Sequence, residues 1–162
     1  MRVLGIDPGL NITGYGFVEE KNGCVKILEA GIIGPKRTAK IQDRLAKIYS
    51  ILGELVDEHK PDVLVLEKLY SHKLYPLTSS ILGHARGVIC LLCAHKGIAL
   101  SEQSVKRVRK SLLGNGNATK LQVKAAVARA LHINEHQLTL DASDALALAL
   151  GYVHFKKLPN CF

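Results

Sequence analysis

Residues 62–67, Asp-Val-Leu-Val-Leu-Glu, constrain the fold more than any other stretch of the chain. Side chains of a strand alternate between the two faces of its sheet, so a run apolar on both faces needs cover on both. Such a strand belongs in the middle of a sheet with helices above and below it. It also ends on a carboxylate, Glu67. Residues 2–7, Arg-Val-Leu-Gly-Ile-Asp, repeat the theme: an apolar run, an acid, then the turn pair Pro8-Gly9. Asp-Pro-Gly alone is ordinary turn chemistry. The question is whether other carboxylates arrive at the same place.

The order of elements suggests that they do. Residues 13–20 read as a second strand, Lys21-Asn22-Gly23 as a hairpin turn, and 24–33 as a third strand, so the chain opens with an antiparallel meander. Ile41, Leu45, Ile48, Ile51, Leu52, Leu55 and Val56 recur at helical spacing, and Pro61 stops that helix. A helix between strands permits a right-handed crossover, so 62–67 is expected parallel to 2–7, with Asp7 and Glu67 at one edge. A polar and aromatic loop follows at 68–78.

Residues 79–96 predict a helix that is apolar almost all round, with Gly83 and Gly87 four apart. Interior glycines cost about 1 kcal/mol each against alanine, so something is expected close to that backbone. The sheet would cover one side and a second subunit the other; close fitting against the sheet is the alternative. Gly97–Ser101 reads as a fifth strand. Helices follow near 104–113 and 119–132, with Gly114-Asn-Gly-Asn117 between them, and a last helix spans 141–154. One domain over 1–155 is expected, with 156–162 as a frayed tail.

Composition narrows the class. No run of 18 apolar residues exists, and an acid at position 7 interrupts any signal-peptide pattern, so a cytoplasmic protein is expected. Its four cysteines should then be reduced. Cys90 and Cys93 have C-x-x-C spacing near His84 and His95, but they sit in an apolar helical run and read as core; a closed zinc site needs four ligands. The net charge is +8, and the window 103–132 holds seven basic residues and no acidic one. That block (Lys106, Arg107, Arg109, Lys110, Lys120, Lys124 and Arg129) suggests a polyanionic partner such as nucleic acid, with a solvated helix face as the plainer alternative.

Asp141 and Asp144 are three apart at the start of the last helix and share a face. One of them could be only a cap. A cap does not account for Asp7 and Glu67. Two unit charges 4 Å apart repel by about 4 kcal/mol at an effective dielectric of 20, so four gathered carboxylates need protons or cations. Oxygen ligands select Mg²⁺, or Mn²⁺ as a substitute, and a two-ion site suits phosphodiester hydrolysis.

Gly5-Ile-Asp7-Pro-Gly, Thr13-Gly-Tyr-Gly16, the strand ending in Glu67, Leu82-Gly-His-Ala-Arg86-Gly-Val and Asp141-Ala-Ser-Asp144-Ala occur in one order along nearly the whole chain. Together they resemble the RuvC family of Holliday-junction resolvases. The resemblance implies an α/β ribonuclease-H-like fold: a five-stranded mixed sheet, three antiparallel strands then parallel ones, with helices on both faces. It implies a homodimer that nicks four-way DNA junctions symmetrically in recombination and repair, leaving 5′-phosphate and 3′-hydroxyl ends, and the RuvA–RuvB branch-migration complex as partner. Asp7, Glu67, Asp141 and Asp144 would be the catalytic metal ligands. Tyr70 would stand near the junction centre, and Arg109 and Lys120 near the cleaved phosphate, Arg109 where relatives carry lysine. Lys106, Lys110 and Lys124 would grip DNA. A YqgF-like nuclease acting on RNA and a junction-binding protein without catalysis are the alternatives. The basic block argues against the first and the four acids against the second.

Overall fold

The computed structural model describes residues 1–34, 36, 38–68 and 76–157, the side chains of 76–79 and 157 excepted. Among the described residues the elements are, in order, β1 (Arg2–Asp7), β2 (Thr13–Lys21), β3 (Cys24–Ile33), α1 (Ile41–His59), β4 (Val63–Glu67), α2 (Pro76–Lys96), β5 (Ala99–Gln103), α3 (Val105–Leu113), α4 (Lys120–Ala130), a short 3₁₀ turn at Glu135–Gln137, and α5 (Leu140–Lys157). The sheet order is β3-β2-β1-β4-β5. β1, β2 and β3 are antiparallel, while β4 and β5 run parallel to β1.

Strand alternation splits the core into two layers. Val3, Val18, Val63 and Val65 face α3, α4 and α5. Leu4, Ile6, Phe17, Leu64 and Leu66 face α1 and α2. Val63 and Val65 on one face and Leu64 and Leu66 on the other are all buried, so β4 is covered on both sides as its composition demands.

The contact that sets the geometry is α5 against β1 and β2. Gly5 pairs with Gly16, and Asp7 with Gly14, so these positions share the α5 face of the sheet. A Cβ at Gly5 would lie 1.9 Å from the Ala145 carbonyl oxygen, one at Gly14 would lie 2.1 Å from the Asp141 carbonyl oxygen, and one at Gly16 would lie 2.6 Å from the Leu146 side chain. The glycines form a trough, and the helix backbone lies in it.

Several boundaries differ from expectation, and α2 begins at Pro76, inside the stretch 68–78 read as a loop. β5 begins at Ala99, two residues after Gly97. Gly97 has φ +65, and the Ile98 amide donates to the Cys93 carbonyl at 2.9 Å, so the glycine closes α2 in a left-handed cap instead of opening a strand. α5 runs on through Lys156 to Lys157, where a frayed tail was expected from 156; residues 158–162 lie outside the described residues. The 3₁₀ turn carries no apolar periodicity that would have announced it.

α2 buries Ala85, Ile89, Leu92 and Cys93 against the sheet, which puts Cys93 in the core. His95 bonds the Tyr49 hydroxyl at 2.8 Å. The opposite side of α2 carries Gly83, Gly87, Leu91 and Ala94, all exposed, and near its start the helix also exposes Ile81, beside the Gly9–Ile12 loop. A Cβ at Gly83 or Gly87 meets nothing within 4 Å, so these glycines are not fitted against the sheet. Among the described residues, nothing in a single chain covers them.

Gly5→Ala should destabilise the chain by about 3 kcal/mol, because the methyl group meets backbone and α5 must lift. In thermal unfolding that is a fall of roughly 6–12 °C. Gly34→Ala, where a Cβ meets nothing within 4 Å, should stay within about 2 °C of the parent. Equal melting temperatures for the two variants would refute the trough.

Candidate active site

The parallel register of β1 and β4 matches Ile6 to Leu66, which brings Asp7 and Glu67 to the same sheet edge. Both point to the α5 side, since Gly5 and Val65 are also register partners and alternate positions share a face. Asp141 and Asp144 come from the first turns of α5. Thr139 caps that helix: its hydroxyl accepts from the Ala142 amide at 3.2 Å, and its carbonyl accepts from the Ser143 amide at 3.0 Å. With Thr139 as the cap, neither aspartate is needed for one, and both are free for chemistry. Gly14 lies directly beneath the Asp141 backbone, which sets how near α5 comes to Asp7.

α3 and α4 close the site from the basic side. Asp7, Glu67 and Asp144 line a cavity of about 150 Å³ with Arg109, Lys120, Val105, Val108 and Val123. Asp141 stands at its margin, near enough to raise the Asp7 pKa. Thr119 caps α4 in a full capping box with Gln122, with contacts of 2.9 and 3.2 Å. The Thr-x-x-Gln spacing is readable in the sequence and went unused there. Lys120 therefore occupies the first position of α4, where a cation opposes the helix dipole. Its compensation is Asp144: Nζ lies 2.6 Å from Oδ2, with the lysine side chain half-exposed and the aspartate 17% exposed.

The basic block does not act as one surface. Arg109 and Lys120 turn into the acid cavity. Arg107 lies over the Phe155 ring at 4.2 Å and packs α3 onto α5. Lys106 and Lys110 are exposed on α3, and Lys124 follows Lys120 one turn along α4. Tyr70 and residues 69–75 lie outside the described residues, so its place relative to the cavity is left open.

Two arginines had no role assigned from the sequence. Arg86 of α2 donates from Nη1 to the Glu67 carbonyl at 2.5 Å and from Nη2 to the Glu102 carboxylate. Arg44 of α1 donates from Nη2 to the Leu10 carbonyl at 3.0 Å and to Asn11, in the loop that follows Asp7. Each acid-bearing strand end is thus held by a guanidinium from the opposite layer. Only the long-range fold brings these groups together, and no local sequence pattern marks them.

The electrostatics are those of a site short of positive charge. Asp7 is pushed up to about 7, first by burial, then by Asp144 and Glu67, with Lys120 opposing. Glu67 is also raised, by burial and then Asp144, while Lys120, Arg109 and Arg86 pull it down. Lys120 is raised by its bond to Asp144. An all-oxygen donor set in which burial and mutual repulsion raise Asp7 and Glu67 suits a hard divalent cation. The acids form an open set around Lys120. Among the described residues, the three possible ligand groups that lie mutually within 4.8 Å are Glu29, Glu58 and His59. They belong to the opposite side of the sheet, where His59 packs on Phe17. There His59 and Glu29 are paired at 2.7 Å, and Tyr15 donates to Glu29 at 2.8 Å.

The raised Asp7 pKa has a consequence for stability. Between its ordinary value near 3.8 and about 7, the folded chain holds a proton that the unfolded chain has released. Stability without metal therefore falls as pH rises through that interval and is not recovered above it. Metal-free Asp7→Asn should melt above the parent at pH 8, by on the order of 2 kcal/mol or roughly 4–8 °C, with the gap closing as pH falls toward 4. A gap independent of pH would contradict this electrostatic account.

The family model for crossover junction endodeoxyribonuclease RuvC matches residues 3–152. The crossover junction endodeoxyribonuclease RuvC of Rhodopirellula baltica is 39% identical over 148 residues, covering 91% of this chain and 83% of that protein. The one from Caldicellulosiruptor saccharolyticus is 37% identical over 154 residues, covering 94% and 92%. Among solved structures, T. thermophilus RuvC in complex with Holliday junction substrate superposes with a TM-score of 0.87 at 20% identity, over 97% of this chain and 96% of that one. The yeast mitochondrial Holliday junction resolvase gives 0.70 at 17% identity, over 95% and 78%. The likeness of fold and the family match agree with the acid cavity in pointing one way: the chain belongs to the RuvC family of crossover junction endodeoxyribonucleases.

Proposed function

We propose that this chain is a metal-dependent, structure-specific endodeoxyribonuclease that resolves four-way DNA junctions by paired symmetric nicks in recombination and repair. The nicks leave 5′-phosphate and 3′-hydroxyl ends. The observation that carries the reading is a single cavity in which Asp7, Glu67 and Asp144 meet Arg109 and Lys120. Acids without those cations would repel DNA, and the cations without acids would only bind it.

Asp7, Glu67, Asp141 and Asp144 would hold the metal, taken as two Mg²⁺ per site with Mn²⁺ able to substitute. When bound, such ions activate water and stabilise the leaving oxygen of an in-line displacement. Lys120 and Arg109 hold the cleaved phosphate beside the acids. Lys120 can do so because it is half-exposed and its partner, Asp144, can exchange it for another cation. Lys106, Lys110 and Lys124 lie outside the cavity and grip backbone phosphates further along the arms, a contribution that falls steeply with salt. Tyr70 stacks on a base at the junction centre.

A four-way junction offers two equivalent strands, which suits a two-fold dimer with one site for each. The exposed face of α2, with Ile81, Gly83, Gly87 and Leu91, is the proposed contact. Residues 1–155 act as a single nuclease domain, in the cytoplasm, on junctions supplied by the RuvA–RuvB complex. No helix among the described residues is long and apolar enough to cross a membrane.

One gel tests the activity. A synthetic four-way junction should be cut by the parent chain with Mg²⁺, bound but not cut without it, and bound but not cut by Asp7→Asn. Uncut junction in every lane would refute the nuclease, and cleavage of RNA hybrids alone would favour the RNA-directed alternative. Lys120→Ala should lower the rate by about 100-fold, with affinity changed far less.

Sedimentation tests the dimer. Gly87→Leu should run as a monomer that binds junctions without paired nicks. It should keep its melting temperature, because a Cβ at Gly87 meets nothing in the single chain. A dimeric, fully active variant would refute this face as the contact.

A further inference from the structure

Arg86 is a residue of the helix that faces away from the acid cavity, yet its side chain is only 11% exposed. It leaves α2 between the exposed Gly83 and Gly87 and reaches past the sheet edge. There its two terminal nitrogens serve different strands: Nη1 the Glu67 carbonyl at the end of β4, Nη2 the Glu102 carboxylate in β5. The adjacent backbone is pinned as well, since the Lys68 amide donates to the Gln103 carbonyl at 2.8 Å. Glu67 is the last residue of β4, and no regular element follows it among the described residues until α2. The arginine adds to that backbone pairing by satisfying the last carbonyl of the strand.

We propose that Arg86 is the positioning residue for Glu67, fixing the end of β4 so that the Glu67 carboxylate stands beside Asp7 and ready to receive metal. The inference rests on the reading of Glu67 as a metal ligand. It goes beyond that reading by giving a role to a residue that touches neither metal nor DNA. A guanidinium suits the task because its planar fork can satisfy a carbonyl and a carboxylate together. A lysine at 86 could serve only one of them. Groups that orient metal ligands are worth about 10–100-fold in metal affinity or activity when removed.

The test uses the full chain and Mn²⁺ alone as probe. Mn²⁺ binding is followed by calorimetry, alongside thermal unfolding without metal and junction cleavage against Mn²⁺ concentration. Arg86→Met should raise both the Mn²⁺ dissociation constant and the half-saturating concentration for cleavage by about tenfold or more, and saturating Mn²⁺ should recover part of the rate. Arg86→Lys should fall between parent and Arg86→Met. A purely structural role would lower the melting temperature and leave Mn²⁺ affinity within about twofold of the parent, which overturns the proposal. If Arg86→Met does not fold, Glu102→Gln weakens the other arm of the same fork. It should shift the Mn²⁺ constant in the same direction, and an unchanged constant overturns the proposal equally. A parent chain that shows no Mn²⁺ binding refutes the metal-site reading itself, which separates the two failures.

Discussion

The site depends on how closely α5 lies against β1 and β2. A helix normally sits on a sheet across a layer of interdigitating side chains. Here Gly5, Gly14 and Gly16 remove that layer along one track, and the backbone oxygens of Ala145 and Asp141 occupy the space a Cβ would need. The result is that two acids on a helix reach two acids on strand ends. Any wider spacing leaves two separate pairs of carboxylates. The trough also helps to place the site at the end of α5: its acids lie in its first turns, and those turns sit over the Asp7 end of the sheet.

Crowding carboxylates in this way opposes stability, and the fold answers it with charges held in two different manners. Arg86 lies behind the sheet edge, largely buried and bonded twice, and with Lys120 and Arg109 it opposes the rise of the Glu67 pKa. Lys120 lies in front, half-exposed, on a helix terminus that disfavours it. Its bond to Asp144 holds it there, and the proton on Asp7 covers part of the charge that remains. Protons and a lysine are both exchangeable for a stronger cation, whereas the buried arginine is not.

Much of this was legible from the chain because it is local. An apolar run that ends on an acid gives both the strand and the position of its carboxylate, so Asp7 and Glu67 could be placed at one edge from the crossover rule alone. The all-apolar helix at 79–96 gave a buried face and an unexplained glycine face, and both exist. What was not legible depends on contacts between distant elements. Gly14 and Gly16 read as ordinary strand residues until α5 is laid over them. Arg86 stood in a recognisable stretch, but nothing near it in sequence names Glu67 or Glu102 as partners. The basic window counted as one patch until Phe155 took Arg107 out of it. Gly97 is a miss of another kind: a glycine after an apolar helix is a stop signal, and the following Ile-Ala-Leu drew the strand two residues too early.

The two faces of the sheet carry different functions, and the arrangement of arginines suggests how they stay in register. The chemistry faces α3, α4 and α5. The uncovered apolar surface belongs to α2 on the other side, and α1 lies beside it. From α1, Arg44 holds the loop after Asp7; from α2, Arg86 holds the end of β4. Both hold main-chain carbonyls, and a carbonyl fixes the strand end whatever rotamer the acid adopts. Anchors of this kind leave the acid side chains their rotamers while the backbone stays fixed. This suits an open set of carboxylates grouped around Lys120, with rigidity supplied by the rear layer and adjustment left to side chains in front.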